Sequence, residues 1–399
     1  MHKSDLREGV IASSIIVMMT FNSFGVYYYT SMGKIIYLLS HVIAAFYVYG
    51  NYRLIKVDRT EVILFISLFF VFISFDIKYF LGNLLTSYPS ILLMFFIGKI
   101  NPRITEKTIL YLCILLSIGF LLFLMNLIVD YNVFSIRKSN VGDERVWGCF
   151  LLTCNSQNVY RYSFIFEEPG TLASIVCLMI TFLPSDMNKL KRVFILIGAT
   201  TYSLFFYIYF ILYLFFKNIT MLRIIIMSIF ILLLFFKLES FLVSIDNKYT
   251  NFYILRRLEF VDGNLVGFIN NRTDDLFLSF YNDFPLLDKI IGIHLPVSSV
   301  YSGWTGLTYR TFVIEYGWLS ILIPFSLLCR LVIINLGFKK LVLFCLFFVC
   351  FFYQRPLFFR AEYLGLFLML TSLCKLRIKN GGEDANIMRR RQILLHKHS

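Results

Sequence analysis

Between positions 161 and 174 the chain reads Arg161-Tyr-Ser-Phe-Ile-Phe-Glu167-Glu168-Pro169-Gly170-Thr-Leu-Ala-Ser174. A guanidinium stays charged beside lipid and grips phosphate or carboxylate with paired hydrogen bonds. A neighbouring carboxylate can take a proton from a hydroxyl. Pro169 suits a first helical turn, and Glu168 near the N-cap complements the helix dipole. Two readings stay open: Glu168 caps the helix while Arg161 pairs with Glu167, or all three meet a substrate. A second concentration of polar residues lies further on: Arg256, Arg257, Arg272, Asp274, Asp275, His294 and Arg310, with Glu315-Tyr316-Gly317 after them. Its arginines are candidate anion binders, and Asp274, Asp275 and His294 are candidate proton acceptors. No G-x-x-x-x-G-K-[ST] string and no metal-ligand spacing occur, so neither nucleotide hydrolysis, cofactor nor metal is expected. Cys149 and Cys154 share a polar loop without metal spacing, and a disulfide between them is open.

These residues need a scaffold, and composition says which kind. The chain is 58% hydrophobic and 16% charged, against about 25% charged in soluble domains. Its apolar runs do not alternate, which excludes barrel strands. In lipid such runs must close their own backbone hydrogen bonds as helices. The runs are 9–28, 34–51, 61–76, 79–98, 108–129, 170–184, 219–237, 312–334, 341–353 and 357–374, together with 193–216. The expected fold is a single all-α, polytopic transmembrane domain over 1–399 with about 11–12 membrane segments, the first an uncleaved helix.

The net charge of +14 is dispersed through short connections and does not form a groove for nucleic acid. Lys and Arg mark cytoplasmic connections: Arg53, Lys56 and Arg59; Lys99, Arg103 and Lys107; Lys189, Lys191 and Arg192; Lys339 and Lys340; and the basic tail 375–399. The large loops 130–169 and 238–311 then face outward. Parity requires 193–216 to enter and return, with a turn at Ala199-Thr200-Thr201-Tyr202-Ser203. His41, inside an apolar run, requires a polar partner.

The Arg161–Ser174 string resembles the R…F-x-E-P-G/S element of bacterial O-antigen and capsule polymerases of the Wzy type. Asn271-Arg272, Gly292-Ile293-His294 and Glu315-Tyr316-Gly317 resemble that family's R…G-x-G…E-x-G-x-x-G pattern, and Thr200-Thr201-Tyr202-Ser203 resembles its T-x-S element. His294 and Ser320 stand where the pattern has glycine. The related O-antigen ligases carry a His near the place of Gly306, and its absence here disfavours ligation, which stays an alternative along with lipid-linked glycan flipping or transport. The resemblance implies a glycosyltransferase of the bacterial inner membrane that joins polyprenyl-pyrophosphate-linked repeat units. It also implies membrane lipid, a chain-length regulator and a flippase as partners. Arg161, Glu167, Glu168 and Arg272 would be catalytic, and Arg310, Arg256, Arg257 and His294 would bind substrate.

Overall fold

Unbroken runs of Leu, Ile, Phe and Val leave each backbone amide to its own segment, and the chain folds accordingly. The computed structural model describes residues 3–21, 31–72, 76–129, 135–138, 144–148, 152–154, 162, 166, 169–217, 258–261, 264–268, 275–303, 308–354 and 358–379. Five helices come first: α1 (Lys3–Phe21), α2 (Ser31–Gly50), α3 (Arg59–Phe72), α4 (Ile77–Ile100) and α5 (Pro102–Val129). α6 (Pro169–Phe182), α7 (Asn188–Thr200) and α8 (Leu204–Lys217) follow. α9 (Asp275–Asp283), α10 (Leu286–Ile291) and α11 (Tyr309–Tyr316) lead into α12 (Leu319–Leu336), α13 (Phe338–Gln354) and α14 (Leu366–Lys379).

Among the described residues, three helices are long and apolar enough to cross a membrane: Met32–Gly50, Pro102–Leu124 and Leu319–Leu336. Ser87–Ile100, Pro169–Phe182 and Leu204–Lys217 are shorter apolar helices. Large apolar side chains also face outward, among them Leu38, Phe46, Ile63, Phe70, Leu121 and Val349. Soluble monomers rarely expose large contiguous apolar patches. The run expected at 219–237 lies outside the described residues.

Helix is not the whole of the fold. Within the first long loop β1 (Ser135–Lys138), β2 (Glu144–Gly148) and β3 (Leu152–Cys154) form an antiparallel sheet, with Arg137 opposite Arg145 and Val146 opposite Cys154. Within the second, β4 (Leu258–Val261) and β5 (Asn264–Phe268) pair with a bulge at Glu259/Phe260. Cys149 lies outside the described residues.

One end of the bundle is stitched by charge. Lys107 reaches Glu8 at 2.7 Å and Asp5 at 3.1 Å, and Asn101 donates to Glu8 at 2.9 Å. Lys99 binds Glu61 and the Lys56 carbonyl. Arg377 spans Glu106 at 2.6 Å and Asp186 at 3.1 Å. Lys340 donates to the Thr181 carbonyl. These contacts gather the start of α1, the α2–α3, α4–α5 and α6–α7 connections, the start of α13 and the end of α14. They are the basic connections that the sequence assigns to one face.

The stretch 193–216 is divided between two short helices, α7 and α8, joined by a turn. α7 leaves this basic end and rises to Thr200, whose carbonyl accepts the Tyr162 N–H at 3.4 Å. The chain turns at Thr201-Tyr202-Ser203, with Tyr202 in the left-handed region at φ 47°. α8 then descends. Phe205 packs on Phe351 and Phe347, and Tyr209 packs on Phe347 with its hydroxyl 3.4 Å from the Leu343 carbonyl. Each step along α8 meets α13 nearer its start. Gly198 lets the pair close, because a Cβ there would stand 2.1 Å from the Phe206 ring. Fourteen residues rise only about 21 Å, less than the roughly 30 Å of a bilayer core.

His41 finds its partners between α2 and α4. Its Nδ1 donates to the Tyr37 carbonyl at 3.0 Å, which leaves Nε2 to accept from the Ser90 hydroxyl at 2.7 Å. The expected helix 357–374 begins instead with a buried π-turn, Ala361–Gly365, which then continues as α14. There Met94 occupies the space a Cβ on Gly365 would need.

Candidate functional site

α12 is not a continuation of α11, although 312–334 reads as one apolar run. The backbone breaks at Gly317, and a second glycine explains why. Gly292 (φ 88°, ψ 156°) ends α10, and Gly317 (φ 76°, ψ 162°) ends α11. Both conformations are open to glycine alone. The two residues also press their backbones together. A Cβ on Gly292 would stand 2.3 Å from the Tyr316 carbonyl carbon, and one on Gly317 would stand 2.2 Å from that of Ile291.

Hydrogen bonds run outward from this contact. The Ile293 N–H donates to the Ile314 carbonyl at 2.9 Å, the His294 N–H to the Glu315 carbonyl at 2.7 Å, and the Trp318 N–H to the Lys289 carbonyl at 2.9 Å. Two motif fragments more than twenty residues apart are thereby one structural unit. His294 itself adopts φ 53°. That is the left-handed region, where His is among the tolerated exceptions.

Glu315 locks the loop from the other side. Its Oε1 accepts the Val297 N–H at 2.9 Å. Val297, Ile314 and Phe277 form a small apolar core beneath, with Tyr301 against it. Burial raises the Glu315 carboxyl from its ordinary 4.5 to about 7, and the Val297 amide only partly offsets that. A carboxyl poised there can exchange a proton near neutrality.

Cations gather around Tyr281 at the end of α9. The Arg310 guanidinium lies 5.9 Å from the Tyr281 ring and 4.9 Å from the Tyr309 ring. The Lys289 ammonium lies 4.9 Å from the Tyr281 ring and donates to the Asn282 carbonyl at 3.0 Å. Phe312, on the same helix as Arg310, packs on Phe352 of α13 and on Phe359. That fixes α11 against the far end of the bundle from the ion-paired connections.

The other sequence candidates divide plainly. Arg161, Glu167, Glu168, Arg256, Arg257, Arg272 and Asp274 lie outside the described residues. The neighbours of the first three are placed: Tyr162 and Phe166 are fully buried, and α6 opens at Pro169. Tyr162 hydroxyl donates to the Leu116 carbonyl of α5, while its N–H binds the hairpin tip at Thr200. So Tyr162 meets the Thr200–Ser203 turn through backbone. Reading the sequence for site residues passed over Lys289, Tyr281 and Glu315. Only the resemblance of Glu315-Tyr316-Gly317 to a motif pointed to Glu315, and nothing in the sequence showed that Lys289 and Arg310 share a ring.

No protein-family model, curated protein or solved structure matches the chain.

Proposed function

We propose that this chain is a polysaccharide polymerase of the bacterial inner membrane. It would join oligosaccharide repeat units carried on polyprenyl pyrophosphate into O-antigen or capsular glycan at the outer face. The fold that goes with this reading is a polytopic bundle of about 11–12 membrane segments, with 130–169 and 238–311 outside. The observation that carries it is the mutual packing of Gly292-Ile293-His294 against Glu315-Tyr316-Gly317. It makes one unit of fragments singled out only by resemblance. The ion-paired basic connections support the orientation, since they gather at one end as the positive-inside rule asks.

In the reaction a hydroxyl oxygen of the acceptor sugar attacks the anomeric carbon of the donor. The new glycosidic C–O bond forms as the bond to the diphosphate oxygen breaks, and the hydroxyl proton passes to a carboxylate. Polyprenyl pyrophosphate leaves with the electron pair. Arg161, Arg272 and Arg310 are assigned to the growing charge on the leaving group, with Arg256 and Arg257 behind them. Glu167 and Glu168 position the acceptor. Glu315 adds a carboxyl whose raised pKa suits it to receive the proton.

The test is complementation of a polymerase-deletion strain with Arg161→Ala, Arg272→Ala, Glu168→Ala and His294→Gly, read as a surface-glycan ladder beside protein level. Loss of the ladder with single repeat units retained is the expected result for the first three. Retention with His294→Gly would assign that residue to backbone shape, and loss would assign it to its imidazole. Full ladders from Arg161→Ala, Arg272→Ala and Glu168→Ala would reject the site. Loss of the single-unit band as well would move the reading to export or ligation.

A further inference from the structure

The amphipathic pattern of α10 is reversed for a helix in water. Leu286 and Leu287 are 73% and 65% exposed, and Ile290 and Ile291 are exposed beside them, while Asp288 and Lys289 are partly buried. Residues three and four apart share a helix face, so the two leucines and two isoleucines make one outward strip. A helix in water turns such a strip inward. Two further observations say what meets it.

The first is its position along α12. The Trp318 N–H donates to the Lys289 carbonyl, and the Ile290 carbonyl oxygen would stand 2.5 Å from a Cβ on Gly317. The end of α10 is thus set against the start of α12, whose first turns expose Leu319, Leu322 and Ile323. α12 has the length and hydropathy of a membrane crossing. Its 18 residues rise about 27 Å, close to the roughly 30 Å of a hydrocarbon core. Beyond Gly337 the chain reaches Lys340, which belongs to the ion-paired end. One boundary of the core then falls near Lys340. The other falls near Trp318, at the level of α10.

The second observation is the company at that level. The Trp318 and Tyr309 rings lie 6.3 Å apart, as do those of Tyr309 and Tyr281. Tryptophan and tyrosine settle where hydrocarbon meets water.

We infer that α10 is an interfacial membrane anchor, with its apolar strip seated among the acyl chains of the leaflet opposite the ion-paired end. The partner is phospholipid hydrocarbon. The Gly292–Gly317 contact then holds Glu315 at the membrane boundary. The inference rests on α12 as a membrane crossing and is independent of the reaction proposed above.

The experiment uses the full chain in phosphatidylcholine nanodiscs. It carries Leu287→p-benzoylphenylalanine, or the same photoreactive change at Ile290, Asp288 or Leu322, one position at a time. Adducts formed on illumination are identified by mass spectrometry, and a thermal transition like that of wild type selects the folded variants. Leu287 and Ile290 should give phospholipid adducts at a level like that of Leu322, and Asp288 several-fold fewer. Adducts from Leu287 and Ile290 to peptides of this chain would overturn the anchor, making the occupant another segment or a second copy. Lipid adducts at Leu322 with none at Leu287 and Ile290 would also overturn it and leave the strip in water. Equal lipid capture at Asp288 and Leu287 would refute the one-sided seating. Absence of lipid adducts at Leu322 as well would reject the membrane crossing beneath the inference.

Discussion

The two ends of this bundle are held by different physics. At the basic end, connections far apart in sequence are joined side chain to side chain: Lys107 to Glu8 and Asp5, Arg377 to Glu106 and Asp186. At the other end, α10 and α11 are joined backbone to backbone through Gly292 and Gly317. Long charged side chains can find their partners over a range of helix positions. Two glycines in contact accept one arrangement. The first end can shift without coming apart, and the second holds Glu315 and His294 in one backbone arrangement.

The sharpest way to break this contrast is Gly292→Ala or Gly317→Ala. Each forces an L side chain into a glycine-only conformation and drives a Cβ into backbone. The cost is about 3 kcal/mol or more. Limited proteolysis in membranes should open the 286–317 segment at normal protein level, and a protease pattern like that of wild type would refute the glycine contact.

Next in size is a pH effect confined to the same end. Glu315 in the folded module binds its proton more tightly than in the unfolded chain. Stability of the module is therefore greatest below the ordinary carboxyl range and falls as pH rises from about 4.5 through about 7. Glu315→Gln keeps an acceptor for the Val297 amide but cannot titrate. It should flatten the pH dependence of protease resistance, and an unchanged slope would show that another group carries it.

The smallest effect belongs to the basic end. Arg377 and Glu106 are 42% and 27% exposed at their side chains, so solvent screens their attraction. A double-mutant cycle with Arg377→Ala and Glu106→Ala should yield a coupling of about 0.5–1 kcal/mol. A coupling as large as the glycine penalty would erase the distinction between the ends.

The same contrast explains what the sequence disclosed. Apolar runs and basic connections are one-dimensional signals. From them come most of the helices, the common face of Lys99, Lys107 and Arg377, and the turn at Thr200–Ser203. The break at Gly317 left no such trace, because Phe312 to Leu328 is apolar enough to pass for one run. Its cause is a contact with Gly292, and sequence does not state contacts. The short strands were hidden for a related reason, since hairpins in a polar loop are fixed by pairing more than by composition. Of the site, only a resemblance in motif singled out Arg310, His294 and the glycines. Lys289 looked like any loop lysine until Tyr281 brought it beside Arg310.

The α7–α8 hairpin bears on how the protein is made. Neither arm is long enough to settle in a bilayer alone, and α7 begins with Lys189, Lys191 and Arg192. One of its walls, α6, is synthesised just before it, but the other, α13, emerges only much later. The hairpin's full set of contacts, with α6, with α13 and with Tyr162, therefore becomes available only once α13 has been made.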